Sequence, residues 1–394
     1  MRLFSEAEIQ KTRETIGKSI LEIETPALLV DLDILNENID KMNMFVTQHG
    51  VGIRPHAKTH KTPEIARLQM ERGALGITCA KVGEAEALAE GGITDILIAN
   101  QVIGTGKIDR VVALSKKIDV KVAVDSAGNL KDISRRSALV GGNVGIVVEV
   151  EVGNNRSGVR SIEEVVELAR LTANLPGVSF RGIMGYEGHC VFVKSLEDRT
   201  GQANKAYDVL LSARDAVMRA GLAPEIVSTG GTGTYLLAGR RQGITDIQAG
   251  SYIFMDTRYK DIEGVDFKQS LAVLSTIVSH PEKDLYVCDA GLKSMTGEFG
   301  LVGILPSYGL RVLSMSEEHI RLGPGDAMAE VPPGWADLDN KYAKRAGGPL
   351  GVGDKILLIP SHCCTTVNLH EVMYAVKDGL VQDVWRITGR GRFA

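Results

Sequence analysis

The feature that most narrows what this chain can become lies between about residues 50 and 255, where short β-branched runs alternate with helix-like amphipathic segments. Eight runs can be counted: VGIRPHAK from Val51, GITCAK from Gly76, DILIAN from Asp95, VKVAVDS from Val120, VGIVVEVEVG from Val144, SFRGIMGYEG from Ser179, PEIVSTGG from Pro224 and DIQAGSYIF from Asp246. Such alternation marks parallel β/α units, because a parallel strand needs a crossover helix before the next one. Eight units in about 200 residues fit a closed (β/α)8 barrel of TIM type better than an open doubly wound sheet, although the count alone leaves the open sheet standing. The connecting helices are written into the chain as well. After the fifth run, Ser161 and Glu164 make a capping-box pattern, and Ile162, Val165, Val166 and Ala169 recur at helical spacing.

Beyond Asp256 the helical period stops and strand-like runs take over: SLAVLSTIV, LYVCDA, YGLRVLS, DKILLIP and MYAVKDGLVQDVWRI. The last reads as a hairpin turning at Asp378-Gly379. The expected organisation is an N-terminal segment at 1–35 whose ALLVDLDIL run helps complete the later β domain, a barrel at 36–256, and a β-rich C-terminal domain at 257–394. Residues from Pro324 to Pro349 carry PPGW and scattered charges without periodicity, and read as a long loop.

Composition removes several function classes. A net charge of −4 gives no basic field for nucleic acid or anionic lipid. No apolar stretch approaches the ~20 residues of a membrane span, and the first residues lack the apolar core of a signal peptide, so neither a nucleic acid nor a membrane partner is expected and the expected address is cytoplasmic. The five cysteines, an odd number, read as core thiols or ligands and not as a disulfide framework.

In a (β/α)8 barrel, chemistry collects at the carboxyl ends of the strands. Those ends offer His56 and Lys58, Cys79 and Lys81, Asn100 and Gln101, Asp125, Asn154 and Arg156, Tyr186 and His189, the turn Gly230-Gly231-Thr232-Gly233, and Gly250-Ser251. Polar strand ends also arise simply because they meet solvent. The two glycine turns are more pointed: small residues after neighbouring strands can turn backbone N–H groups toward a phosphate, with the Thr232 and Ser251 hydroxyls as further donors.

RPHAKTHK at 54–61, preceded by TPALLVDLD at 25–33, resembles the Schiff-base segment of fold-type III pyridoxal-phosphate enzymes, in particular the D-threonine aldolase and D-serine dehydratase family. The likeness continues through GNNRSGV, GYEGH, STGGTG, QAGSYIFMD, DAGLKS and PSHCCTTVNLH, in one order along nearly the whole chain. It implies an alanine-racemase-like barrel with a β-rich C-terminal domain, a homodimer, and a small β-hydroxy-D-amino acid as substrate. By the same resemblance Lys58 would hold pyridoxal 5'-phosphate as a Schiff base, the linkage that makes the ring an electron sink for an amino-acid substrate. Arg156 would face the pyridine nitrogen, where a guanidinium donates but cannot accept; the bland alternative is a salt-bridged barrel arginine. Tyr186, Thr232, Gly233, Gly250, Ser251 and Tyr252 would complete the cofactor pocket, although Tyr186 could equally be packed in the barrel mouth. His60, His189 and His319 are candidates for auxiliary acid or base.

His362 and Cys364 form an H-x-C element after the strand DKILLIP; if the segment is extended, alternate residues share one side and Cys363 points elsewhere. In the resembled family this place holds a divalent-metal pair, H-x-D in the aldolases and H-x-C in the D-serine dehydratases. A thiolate ligand favours zinc over manganese or magnesium. The alternative is that Cys364 is a small buried hydrophobe, and His370 reads as a structural histidine before a third ligand. The chain is thus divided: its metal pair is dehydratase-like, whereas STGGTG, QAGSYIFMD, DAGLKS and the tail are aldolase-like. Retro-aldol cleavage to glycine and an aldehyde is the leading expectation, and a D-serine or 3-hydroxy-D-aspartate dehydratase giving keto acid and ammonia the alternative. A non-catalytic pyridoxal-phosphate carrier is the remote one, against which the second domain and the His362/Cys364 pair speak.

Overall fold

A computed structural model describes residues 6–325, 333–342 and 350–394. The chain divides into two compact units, one of which comprises Lys41–Gly250, Ile262–Gly264 and Gly391–Ala394. The other takes the described residues up to Asp40, Ser251–Asp261 and Val265–Arg390, so Ser251 and Tyr252 group with the second unit and not with the barrel.

The strands in chain order are β1 (Ala27–Asp31), β2 (Gly52–Ile53), β3 (Ile77–Cys79), β4 (Asp95–Gln101), β5 (Asp119–Val124), β6 (Val144–Glu149), β7 (Val178–Met184), β8 (Ile226–Thr229) and β9 (Asp246–Ile247). They continue as β10 (Leu271–Glu282), β11 (Leu285–Cys288), β12 (Gly303–Ile304), β13 (Leu310–Met315), β14 (Ile320–Pro324), β15 (Lys355–Ile359), β16 (Val372–Lys377) and β17 (Leu380–Arg386). β2 to β9 coincide with the eight runs read from the sequence, and they pair in parallel in the order β2-β9-β8-β7-β6-β5-β4-β3. A parallel bridge between His56 and Thr78, with Ala57 N–H donating to Thr78 O and Thr78 N–H to Pro55 O at 2.8 Å each, joins the two ends of that order. The sheet is a closed barrel, and the open doubly wound alternative is excluded.

Period-two alternation sorts the strand residues into two layers. Leu97, Ala123, Val147, Met184 and Ile226 pack together as one cluster, whereas Ile96, Ile98, Val122, Val124, Ile146 and Val148 join the larger cluster with the outer helices. Two residues before Ala123, on the same face, Lys121 is fully buried and its Nζ lies 2.8 Å from both Asp95 and Asp119. Arg54 pairs with Asp95, and Arg181 with Asp119 and Glu225, so the amino-terminal end of the barrel is packed with alternating charges. The helix Ile162–Asn174 begins at Ser161, whose Oγ accepts from Glu164 N–H at 3.1 Å. Its buried stripe is Val165, Leu168, Ala169 and Thr172, so Ile162 and Val166 sit at its margin.

The second unit holds a sheet in the order β13-β14-β11-β10-β1-β16-β17, with β15 beside β10 and β12. β1 runs antiparallel to β10 and parallel to β16, in the middle of that sheet. β16 and β17 form the hairpin, and Asp378 and Gly379 both take positive φ (50° and 76°), as a two-residue hairpin turn demands. Much of the expected loop at 324–349 falls outside the described residues, at 326–332 and 343–349. The part between them is a short 3-10 turn, Pro333–Trp335, and a helix, Ala336–Tyr342, that seats Lys341 and Tyr342 on the buried Asp31. All five cysteines are free thiols.

Replacing Lys121 with Met should destabilise the fold by about 2 kcal/mol, read as a lowered urea midpoint. The loss stays below that of a fully buried pair because Asp95 and Asp119 keep Arg54 and Arg181 and some contact with water. An unchanged midpoint would mean that the charge layer does not support the barrel.

Candidate functional site

Lys58 stands in a tight turn just after the seam that closes the barrel. His60 N–H donates to Ala57 O at 3.1 Å and Lys61 N–H to the same oxygen at 2.7 Å, which rolls residues 57–61 into one turn. Lys61 takes φ 54°, a left-handed conformation that costs a non-glycine residue roughly 1–3 kcal/mol. A buried ion pair with Glu84 holds it there; the second oxygen of Glu84 accepts from the N–H groups of Ala80 (2.7 Å) and Lys81 (3.2 Å). His56 is buried, and burial first, then the Lys58 charge, pushes its pKa well below the usual range. It is therefore neutral, and its Nδ1 accepts the Lys58 N–H at 3.4 Å.

Three of the expected cofactor residues come together here. Lys58 Nζ lies 5.6 Å from the centroid of the Tyr186 ring, and the Arg156 guanidinium lies 5.5 Å from the same centroid. Arg156 is also 3.7 Å from Glu149, but at 56% exposure and that distance the pair is worth well under about 1 kcal/mol and does not immobilise it. Glu149 itself is buried and accepts from Ser157 Oγ at 3.0 Å and from Gln101 Nε2, which ties the ends of β4 and β6 together. His189 is exposed, and its ring lies against Gly153, where an added Cβ would stand 3.1 Å from Cε1. His60 is fully buried, with Nδ1 accepting Thr62 N–H at 3.1 Å. His319 is exposed in the turn between β13 and β14, in the sheet unit.

Close backbone approach explains the glycines. A Cβ on Gly250 would stand 2.5 Å from Thr59 Oγ1 and 2.8 Å from His56 O, so only glycine lets this stretch lie against the Lys58 turn. A Cβ on Gly231 would touch the Tyr186 ring at 3.5 Å, and one on Gly233 would collide with Val191 O at 1.9 Å. Thr232 is buried between them. A lysine amine, a guanidinium and an aromatic ring beside two side-chain-free stretches of backbone fit pyridoxal phosphate.

Within the sheet unit, the segment after β15 is not extended as the alternation of His362 and Cys364 assumed. His362 is the N-cap of a short helix, Cys363–Val367. The pair still converges: Cys364, the second residue of that helix, lies within hydrogen-bonding reach of His362 at its N-cap, whose backbone stays extended. Cys363 does not point clear of the pair: its Sγ is 4.0 Å from Cys364 Sγ, and its N–H donates to the buried Asp256 at 3.0 Å. Burial of Asp256 pushes its pKa up to about 6. Burial opposes charge on His362, but the hydrogen bonds to Cys364 and Glu298 prevail and lift its pKa to about 9. Nδ1 of His362 lies 2.9 Å from Glu298 Oε2, the arrangement that fixes the tautomer and directs Nε2 to an ion. Ser251 Oγ is 3.7 Å from Cys364 Sγ, and the Tyr252 ring is buried 5.4 Å from that of Phe267, so both side chains belong to this unit. His370 is structural: Nε2 meets Ser294 O at 2.8 Å, and burial lowers its pKa to about 4. Among the described residues no group of three or more His, Cys, Asp or Glu side chains is gathered as a ready cage. A histidine backed by a carboxylate, with a thiol beside it, suits a divalent metal ion.

Glu187, Glu298 and Asp256 were not singled out from the sequence. Each meets partners tens of residues away, and an acidic residue in a loop carries no local signal of that.

Comparison with known proteins agrees with this geometry. Residues 30–258 match the family described as alanine racemase, N-terminal domain, and residues 270–376 the one described as putative serine dehydratase domain. A 3-hydroxy-D-aspartate aldolase of Paracoccus denitrificans (strain Pd 1222) is 37% identical over 386 residues, covering 95% of this chain and 94% of its own. A D-threonine aldolase of Arthrobacter sp is 36% identical over 380 residues, covering 95% of each. The crystal structure of D-threonine aldolase from Filomicrobium marinum superposes with a TM-score of 0.87 at 32% identity, covering 95% of this chain and 98% of that one. These likenesses define the fold-type III class, a barrel joined to a β domain. Within it, the chain belongs to the alanine-racemase-like family of D-threonine aldolases and D-serine dehydratases.

Gly233→Ala should cost about 3 kcal/mol of stability, since the new methyl must displace the Val191 backbone. Chemical denaturation would read it; wild-type stability in the variant would show that these two loops do not pack together.

Proposed function

We propose that the protein is a pyridoxal-phosphate- and divalent-metal-dependent lyase that cleaves β-hydroxy-D-amino acids by retro-aldol reaction to glycine and an aldehyde. The observation that carries the cofactor reading is the shared Tyr186 ring, with the Lys58 amine and the Arg156 guanidinium both on it. When bound, the cofactor supplies an electron sink for the substrate's Cα and the ion lowers the pKa of its β-hydroxyl. Lys58 holds the cofactor and accepts or returns a proton at Nζ. Arg156, which donates and cannot accept, would face the ring nitrogen, so it would leave that nitrogen unprotonated and moderate the sink. Thr232, Gly233 and Gly250 would hold the phosphate end, and Ser251 and Tyr252, next in the chain, are expected to join them. His362 Nε2 and the Cys364 thiolate hold the ion, with Glu298 steadying the imidazole, and the thiolate favours zinc. His189, exposed beside the Gly153 loop, suits the base that takes the hydroxyl proton; His60 is buried and its ring steadies the Lys58 turn. We also infer a homodimer working in the cytoplasm. No helix among the described residues is long and apolar enough to cross a membrane.

Dehydration is the second reading, favoured by one observation: the ion pair of ligands is H-x-C, within residues that match the serine dehydratase domain. There Lys58 would take the Cα proton, and the ion that His362 and Cys364 would hold would supply Lewis acidity for the leaving hydroxide.

D-threonine should yield glycine and acetaldehyde, and D-serine little keto acid; ammonia and keto acid as main products would reverse the order of the two readings. A chelator should abolish turnover while the cofactor stays bound. Cys364→Ser should lose zinc and activity together, and equal metal content and activity in both proteins would refute the thiolate ligand.

A further inference from the structure

Between Tyr186 and His189 the chain places a carboxylate whose surroundings suit no surface loop. Glu187 is fully buried, and each of its oxygens is met by two donors. Oε1 accepts from Tyr207 Oη at 3.0 Å and Thr234 Oγ1 at 2.6 Å; Oε2 accepts from Thr229 Oγ1 at 2.7 Å and Gly230 N–H at 3.2 Å. Thr234 Oγ1 also receives the Gly231 N–H at 2.9 Å, so the carboxylate reaches a second glycine through that hydroxyl. Three of the four donors belong to residues 229–234, the turn that carries Thr232 and Gly233. The fourth, Tyr207, lies on the helix Leu196–Arg219, and burial first, then Glu187, pushes its pKa well above the usual range, so it remains a donor.

We propose that Glu187 is the positioning residue for the phosphate end of the cofactor: it fixes the 229–234 turn in the shape that meets an anion, and ties that turn to the loop carrying Tyr186. The inference rests on the cofactor reading given above. A carboxylate has about four acceptor sites, and all are used here. Glutamine would keep one acceptor oxygen and turn two N–H donors toward groups that are themselves donors. Alanine would strand every one of them in a buried site. The turn is packed closely on the chain just beyond this loop: a Cβ on Gly233 would stand 1.9 Å from Val191 O. Glu187 touches neither the cofactor ring nor the substrate in this account. Its charge is spent on the turn, so its loss should appear in phosphate recognition and not in the chemistry at Lys58.

The test uses the full-length protein stripped of cofactor and reloaded with pyridoxal phosphate or with pyridoxal, which lacks the phosphate, following absorbance of the lysine-linked form. Wild type should favour pyridoxal phosphate strongly. Glu187→Gln should bind it roughly tenfold or more weakly, with a much smaller loss of pyridoxal affinity and with weaker competition by inorganic phosphate. Tyr207→Phe, which removes one donor from the far side, should show a smaller loss of the same selective kind and serves if the glutamine variant does not fold. Equal weakening toward both aldehydes, or unchanged affinity for pyridoxal phosphate in a folded variant, would overturn the assignment. A wild-type protein that does not distinguish the two aldehydes would instead sink the cofactor reading, and this inference with it.

Discussion

Everything in the barrel unit depends on one seam. Between β2 and β3, which the helix Pro63–Glu71 joins along the chain, the ring of parallel strands closes through backbone hydrogen bonds and one side-chain bond, from Thr78 Oγ1 to Arg54 O at 2.9 Å. The backbone bonds run from Leu75, Ala57 and Thr78 to Ile53, Thr78 and Pro55. The strand at the seam is only Gly52–Ile53, yet the closing bridge extends to His56. The chain leaves the seam straight into the Lys58 turn, so the bonds that close the fold also aim the lysine. The conformational cost at Lys61 is held at the same place by the buried pair with Glu84.

Burial of charge divides the molecule's polar groups by task. At the amino-terminal end of the barrel, Lys121 and its acidic neighbours fill space with paired charges that touch no ligand. At the carboxyl end the groups are arranged for shape: Glu149 ties β4 to the Arg156 loop, and Glu187 ties one loop to the glycine turn. In the sheet unit, Asp256 receives the Cys363 N–H and Glu298 steadies His362, so two carboxylates stand behind the H-x-C pair. A metal ion there would meet ligands whose orientation is already fixed by their partners.

Legibility from sequence followed the range of the interactions. The eight barrel strands were readable because a strand buried on both faces writes a continuous apolar run, and the hairpin because Asp378-Gly379 must take positive φ at both residues. The resemblance through HAKTHK located Lys58, and the glycine turns were recognisable as places where backbone comes close to something. Local geometry after β15 was not readable: Pro360 and Ser361 break the strand, and His362 caps a helix, so the pair meets across a helix N-terminus and not by strand alternation. The stretch Ala336–Tyr342 hid its helix because, at seven residues, it is too short to write a period; its partner is Asp31, far away in the chain. Glu187 and Glu298 hid for the same reason. The tasks of His60, His189 and His319 were equally opaque, since only their surroundings separate the buried His60 from the exposed His189 and His319.

A closed barrel that presents Lys58 at the seam makes that lysine the point of covalent attachment for pyridoxal phosphate. Reduction of the purified holoenzyme with borohydride, followed by proteolysis and mass spectrometry, tests it directly. A phosphopyridoxyl group should appear on the peptide containing Lys58 and on no other lysine; a label on a different lysine, such as Lys61 or Lys81, or no label at all, would contradict the attachment at Lys58.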